Sequence, residues 1–192
     1  MMLKQKFLTA GLVLLLLAVT AAAAEPDRLV EQIGTGGHVL MIRHANAPGN
    51  GDPDHFRIGD CATQRNLDDR GRSQARRIGQ WLRSRGIASA RVYASQWCRC
   101  LETAALIGLG PVAELPALNS FYERPRDRAP NLATLRSFLV KQPADGPLIV
   151  LVTHFVTISA ITGEGVSSGE GVVMRLKGAD GAEVRGRLDF EF

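Results

Sequence analysis

The sequence predicts an α/β fold, a three-layer α/β/α sandwich around a mostly parallel central sheet. Two short apolar runs, His38-Val39-Leu40-Met41-Ile42 and Leu148-Ile149-Val150-Leu151-Val152-Thr153, lack a helical period and read as strands buried on both faces. Segments with apolar residues at i, i+3, i+4 and i+7 alternate with such runs, the order that builds βαβ units. No internal repeat, low-complexity tract or interdomain linker divides the chain, so one domain with a sizeable core is expected after residue 24.

Residues 1–24 stand apart from that domain. Lys4 and Lys6 make a short basic start, Phe7 to Val19 is apolar, and Thr20-Ala21-Ala22-Ala23-Ala24 offers small residues for cleavage. This is the layout of a secretory signal peptide. Roughly 13 strongly apolar residues fall short of the about 20 that span a bilayer, and no cysteine near the cleavage region is available for a lipid anchor. Export to the periplasm, or secretion, is therefore expected, with residues 25–192 as the mature domain and no stable membrane insertion after cleavage.

Within that domain, Asp27 to Ile33 reads as a short amphipathic helix closed by Gly34-Thr35-Gly36-Gly37. The first strand follows, His38 to Arg43, and then a long polar loop, Asn46 to Asn66, broken by Gly49, Gly51, Pro53 and Gly59. A connection of that length favours a functional loop over a simple linker. Leu67-Asp68-Asp69-Arg70-Gly71 opens a helix whose stripe runs through Ala75, Ile78, Trp81 and Leu82 to about Gly86. Arg91 to Ala94 is a short strand, and Ser95 reads as the N-cap of a helix from about Trp97 to Ile107. Val112 to Leu118 reads as a weaker strand interrupted by Pro116, and a helix is expected over about Leu132 to Lys141. After the Leu148–Thr153 strand come a helix from about Val156 to Thr162 and a hairpin, Val172–Leu176 and Val184–Phe190, turning at Ala179-Asp180-Gly181.

Composition narrows the function classes. The net charge of +4 falls to +2 once Lys4 and Lys6 leave with the leader, too balanced for a nucleic-acid binder. Arg124, Arg126 and Arg128 crowd one loop. Of three cysteines, Cys98 and Cys100 are too close at a helix start to pair with each other, so one of them can pair with Cys61, leaving one free thiol. No Cys-x-x-Cys or His-x-x-x-His spacing suggests a metal site.

The chemistry concentrates at strand ends. Arg43 and His44 close the first buried strand, and His154 closes the central one, where open α/β sheets keep their ligand crevices. An arginine at the end of a buried strand needs an anionic partner. Asp52 and Asp54 lie in the long loop, so a ligand phosphate is the expected partner. Arg99 falls in the first turns of its helix, where unpaired N–H groups favour an anion. Its bland alternative is a surface pair with Glu102, one turn on.

Arg43-His44-Ala45, Leu67-x-x-x-Gly71-x-x-Gln74-Ala75, Ser95 to Ala104 with Arg99 inside it, and Val152-Thr153-His154 together resemble the signature blocks of the histidine phosphatase superfamily, in order and spacing, over about residues 38–176. The resemblance implies a phosphoglycerate-mutase-like fold, with His44 as a nucleophile that forms a phosphohistidine. It also implies that Arg43, Arg99 and His154 complete the phosphate pocket, with Asn50 at a polar pocket position. Some members carry an aspartate directly after the second histidine, where this chain has Phe155. Others carry a glutamate between the third strand and the next helix, where Glu123 falls, with Asp127 as its rival for the general acid.

These roles agree with the chemistry of phosphoryl transfer, which needs an in-line nucleophile and donors for the equatorial oxygens. A neutral imidazole has a lone pair near pH 7, and two guanidinium groups match phosphate oxygens without a metal. The expected function is an exported phosphomonoesterase that needs neither metal nor cofactor. Its expected partner is a small phosphorylated substrate, taken to be a cell-envelope sugar phosphate, as in the small periplasmic members that resemble the lipopolysaccharide-core heptose phosphatase. No nucleic acid is expected, and the protein is expected to be a monomer or weak dimer. The competing readings are a phosphohistidine-protein phosphatase and a non-catalytic phosphate- or glycan-binding protein of the same fold.

Overall fold

The computed structural model describes residues 25–190, so the expected signal peptide, residues 1–24, lies outside the described residues. Six strands, β1 (His38–Arg43), β2 (Arg91–Ala94), β3 (Val112–Glu114), β4 (Ile149–Thr153), β5 (Gly171–Leu176) and β6 (Ala182–Leu188), form one sheet in the order β3-β2-β4-β1-β5-β6. The pairs β2–β3, β2–β4 and β1–β4 are parallel, while β1–β5 and β5–β6 are antiparallel. The expected α/β sandwich is therefore present, and its mostly parallel sheet carries an antiparallel hairpin on one edge.

Strand side chains alternate between two separate cores. Leu40, Ile42, Val150 and Val152 face α1 (Glu25–Gly34), α2 (Asp69–Ser84) and α3 (Cys98–Ile107) through Val30, Ile33, Ile78, Leu82, Ala104 and Ile107. Val39, Met41, Ile149 and Leu151 face α4 (Arg128–Val140) and α5 (Phe155–Thr162) through Leu135, Leu139 and Ile158. Two helical layers explain why β1 and β4 read as continuous apolar runs rather than alternating ones.

Several boundaries differ from the sequence expectation. Ser95 does not cap α3; Trp97 holds the cap position, and the Ser95 hydroxyl, bonded to His154 and Asn119, accepts only the Trp97 N–H from the backbone, at 3.4 Å. β3 stops at Glu114, and Pro116 opens a single 3₁₀ turn, since proline cannot donate to the ladder. α4 begins at Arg128 rather than Leu132, preceded by a 3₁₀ turn over Pro125–Asp127.

The Gly71 block fastens α2 to the segment that follows β1. A Cβ on Gly71 would stand 2.0 Å from the Asn46 carbonyl oxygen, so only glycine allows this approach. Asp68 caps α2 through the Gly71 N–H at 2.7 Å and accepts from Asn46 Nδ2. Gln74 Oε1 accepts from the Asn46 N–H, and its Nε2 donates to the Ser168 carbonyl. The block thus holds the chain just beyond His44 from below.

Cys61 and Cys98 form a disulfide, and Cys100 is free and buried. The bridge spans 37 residues and ties the long loop to the start of α3. In the chain-entropy account a loop of that size is stabilised by about 4 kcal/mol. Cys61→Ser should therefore lower the urea midpoint by a corresponding amount in oxidising buffer, and reductant should bring the parent protein to the same midpoint. An unchanged midpoint would mean that the loop's polar contacts alone set its stability.

Candidate active site

Parallel pairing of β1 and β4 places Arg43 opposite Thr153, and the His44 N–H donates to the Thr153 carbonyl at 2.9 Å. The next residue of each strand is a histidine, and the two rings lie 5.5 Å apart at 68°. β2 ends beside β4, so Ser95 and the start of α3 complete the same edge. A cavity of about 230 Å³ opens there, and Arg43, His44, Arg65, Arg99 and His154 line it.

His44 is buried, and its Nδ1 lies 2.9 Å from the Ala45 carbonyl. A carbonyl only accepts, so Nδ1 carries the proton and Nε2 keeps its lone pair. Burial, followed by the charges of Arg99, Arg43 and Arg65, outweighs that bond and brings the ring's pKa down to about 3. His44 is therefore neutral at any ordinary pH.

The tautomer of His154 follows from a chain of bonds. Asn119 Oδ1 accepts the Gln96 backbone N–H at 2.9 Å, which fixes the amide's orientation. Ser95 Oγ must then donate to that same oxygen, at 3.1 Å, and accept from His154 Nε2–H, at 2.9 Å. Burial, reinforced by His44 and the three arginines, holds the pKa of His154 well below its ordinary value.

The arginines are built in rather than loosely placed. Arg43 Nη1 donates to the Val166 carbonyl at 3.1 Å, with its guanidinium 5.8 Å from the Phe155 ring centre. Arg65 Nε donates to the Gly51 carbonyl at 2.7 Å, and its Nη1 donates to the Ala47 carbonyl. Arg99 does not pair with Glu102, which is taken by Arg72 at 2.7 Å. Its Nη1 and Nη2 reach the two oxygens of Asp52 at 2.8 and 3.0 Å. Nor is the start of α3 open to a ligand at Cys98, whose N–H is taken by Gln64 Oε1 at 2.9 Å. The Nε–H groups of Arg43 and Arg99 are buried without a partner among the described residues.

Asp52 fastens the long loop to Arg99. Its side chain is 6% exposed and also accepts from Trp97 Nε1 at 2.9 Å and from the Arg65 backbone N–H at 3.0 Å. Burial would raise its pKa, but the bonds from Arg99, Trp97 and the Arg65 backbone outweigh this, and the carboxyl is held below its ordinary value. Asp52, Arg65, Ser95 and Asn119 were not singled out as site residues, because each joins through contacts far apart in sequence. The only local hint was a carboxylate and an arginine inside a polar loop too long for a linker.

Glu123 lines the cavity mouth, exposed, with Oε1 accepting from the Asp52 backbone N–H at 3.3 Å. Asp127 is absent from the lining and sits at the start of α4, 3.9 Å from Arg126 Nε. Asn50 reaches the mouth and donates to the Tyr122 hydroxyl at 3.5 Å. Phe121 is buried, but Tyr122 is 59% exposed, so only the first of the two supplies an apolar environment by burial. Among the described residues no group of three or more His, Cys, Asp or Glu side chains is placed to hold a metal ion.

Residues 39–132 match the model of a family described as the histidine phosphatase superfamily, branch 1. Over 70 residues the chain is 39% identical to the mitochondrial serine/threonine-protein phosphatase Pgam5 of Drosophila virilis, an alignment covering 36% of this chain and 22% of that relative. The solved structure of the putative phosphohistidine phosphatase SixA from Nakamurella multipartitia is similar, with 21% identity and a TM-score of 0.57, over 79% of this chain and 95% of the other. A phosphoserine phosphatase variant from Entamoeba histolytica, in complex with phosphoserine, is similar at 17% identity and a TM-score of 0.57, over 80% and 98%. At these identities the two structures share the fold.

The depressed pKa of His44 has a consequence for stability. Between its folded value of about 3 and the ordinary 6.5, the unfolded chain binds more protons than the folded one. Stability is then full above about pH 6.5 and falls as the pH drops towards 3, by up to about 1.4 kcal/mol per pH unit for one proton. His44→Asn should flatten this dependence in urea titrations between about pH 4 and 6. An unchanged slope would show that His44 is readily protonated in the folded protein.

Proposed function

We propose that the chain, whose residues 39–132 match the model of the histidine phosphatase superfamily, is a member of that family and a metal-independent phosphomonoesterase working through a phosphohistidine on His44. One observation carries the reading. A single cavity brings a buried, neutral imidazole with a free Nε2 lone pair together with three guanidinium groups, two of which bury an Nε–H without a partner among the described residues. Such an assembly suits a nucleophile facing a phosphoryl group, with planar cationic donors for its equatorial oxygens.

In the first step His44 Nε2 bonds to phosphorus as the ester P–O bond breaks, and the leaving alkoxide takes a proton from Glu123. In the second step water attacks the phosphohistidine, giving its proton to the Glu123 carboxylate, and the N–P bond breaks to release phosphate and restore both residues. Burial is the larger reason that His154 stays neutral, so with a bound dianion it remains a hydrogen-bonding partner held by Ser95 through Nε2.

The mouth of the cavity supports a ring-shaped, hydroxylated leaving group. Tyr122 and Phe155 are exposed there, at 59% and 44%, and Phe56 stacks on Trp97 at 4.8 Å with Arg124 over both rings. Asn50 and Ser120 stand among them as hydrogen-bonding groups. Ring faces interleaved with polar groups suit a sugar phosphate, and the leader composition of residues 1–24 points to the cell envelope as its source.

Activity of the mature protein should be measured against sugar phosphates, phosphoamino acids and a phosphohistidine peptide, with EDTA present. Highest activity on the phosphohistidine peptide would favour a protein phosphatase instead, and one phosphate released per enzyme without turnover would indicate a binding protein. His44→Ala should abolish turnover and acid-labile phosphate labelling while the fold stays intact. Arg43→Ala and Arg99→Ala should each cost roughly 3–4 kcal/mol in kcat/KM, and normal kinetics in either would sink the pocket assignment.

The general acid is tested by leaving-group chemistry. p-Nitrophenolate departs without a proton, whereas a sugar alkoxide needs one. Glu123→Gln should therefore slow sugar-phosphate hydrolysis far more than p-nitrophenyl phosphate hydrolysis, and remove the basic limb of the pH–rate profile for the sugar. Equal slowing of both substrates would assign Glu123 a structural part only.

A further inference from the structure

We propose that Asp52 is a positioning residue for phosphoryl transfer, holding one edge of the Arg99 guanidinium so that the opposite edge is kept for the phosphoryl group. The proposal rests on the reading of this cavity as a phosphatase site. Its basis is the complete use of Asp52's hydrogen-bonding capacity. An ionised carboxylate offers about four acceptor positions, and four donors take them here: Arg99 Nη1, Arg99 Nη2, Trp97 Nε1 and the Arg65 backbone N–H. With no acceptor position left, and with 6% of its side chain exposed, Asp52 is poorly placed to exchange protons with a substrate. It acts as an anchor.

The consequence for Arg99 follows from counting its five N–H groups. Nη1 gives its two to Asp52 and to the Arg65 carbonyl, and Nη2 gives one to Asp52. Nε–H and the second Nη2–H remain, and they lie side by side in the guanidinium plane as a fork suited to two phosphate oxygens. The Nε of that pair is buried and has no partner among the described residues.

Asp52 also sets the charge of the site. Arg43, Arg65 and Arg99 carry three positive charges, both histidines are neutral, and Asp52 brings the sum to +2, equal and opposite to a phosphomonoester dianion. Glu123 and Arg124 stand at the mouth, one of each sign, and together add nothing to this sum. The loop that carries Asp52 is fixed independently by the Cys61–Cys98 bridge and by the Gln64 bond to the Cys98 N–H. Substitution of the carboxylate therefore leaves two other fastenings in place.

The test is Asp52→Asn, with Asp52→Glu as a second variant that keeps the charge but shifts the carboxylate. Kcat should fall roughly 10–100-fold in Asp52→Asn, the usual range for partners that orient a functional group, and less in Asp52→Glu. KM and the inhibition constant of inorganic phosphate should not rise, because an anion site has lost a negative charge. In an Arg99→Ala background, Asp52→Asn should cost nothing further and should tighten phosphate binding, since it removes a carboxylate left without its partner. A parallel rise in KM and in the phosphate constant at unchanged kcat would overturn the proposal, leaving Asp52 as a loop fastener. Losses that multiply with Arg99→Ala would overturn it as well. Failure of the parent protein both to hydrolyse any phosphomonoester and to bind inorganic phosphate would bring down the phosphatase reading itself, and this proposal with it.

Discussion

The parallel register of β1 on β4 sets the geometry on which the site depends. Arg43 pairs with Thr153, so His44 and His154 leave the sheet at the same level, one from each strand. A shift of one residue would turn one histidine to the opposite face of the sheet, because strand side chains alternate. The register is held by burial on both faces, with Leu40, Ile42, Val150 and Val152 in one core and Val39, Met41, Ile149 and Leu151 in the other. Packing far from the cavity thereby determines the distance between the two rings.

Gathering three guanidinium groups around two buried imidazoles is costly, and the surroundings show how the cost is met. Carbonyl oxygens of Val166, Gly51, Ala47 and Arg65 take guanidinium protons, and Asp52 supplies a buried carboxylate. Neither histidine adds a further charge, because burial and the arginine field keep both neutral. An imidazole that is neutral for this reason retains its lone pair, which is what the proposed transfer to His44 requires.

The loop between β1 and α2 connects these two levels. It brings Asp52 to Arg99, Arg65 to the cavity wall and Asn50 to the mouth, and it is bolted to α3 by the disulfide. The Gly71 and Gln74 contacts hold its first residues against α2. A long polar loop is thus turned into a fixed wall by side-chain bonds, without regular secondary structure beyond one 3₁₀ turn at Cys61–Thr63.

What the sequence by itself determined were the features encoded locally. Apolar runs and helical stripes marked the sandwich, and the histidines and arginines at strand ends marked where chemistry gathers. The spacing of the four motif blocks pointed to the family. Tertiary structure alone decided which groups meet. Asp52 lies 47 positions from Arg99, and Ser95 lies 59 from His154. Glu123 stands at the mouth while Asp127, four residues on, stands outside it. It also selected Cys98 over Cys100 as the partner of Cys61. Periodicity records how a segment meets its own neighbours in sequence, whereas hydrogen bonds between distant side chains depend on where the packed sheet and helices bring them, which no local pattern specifies.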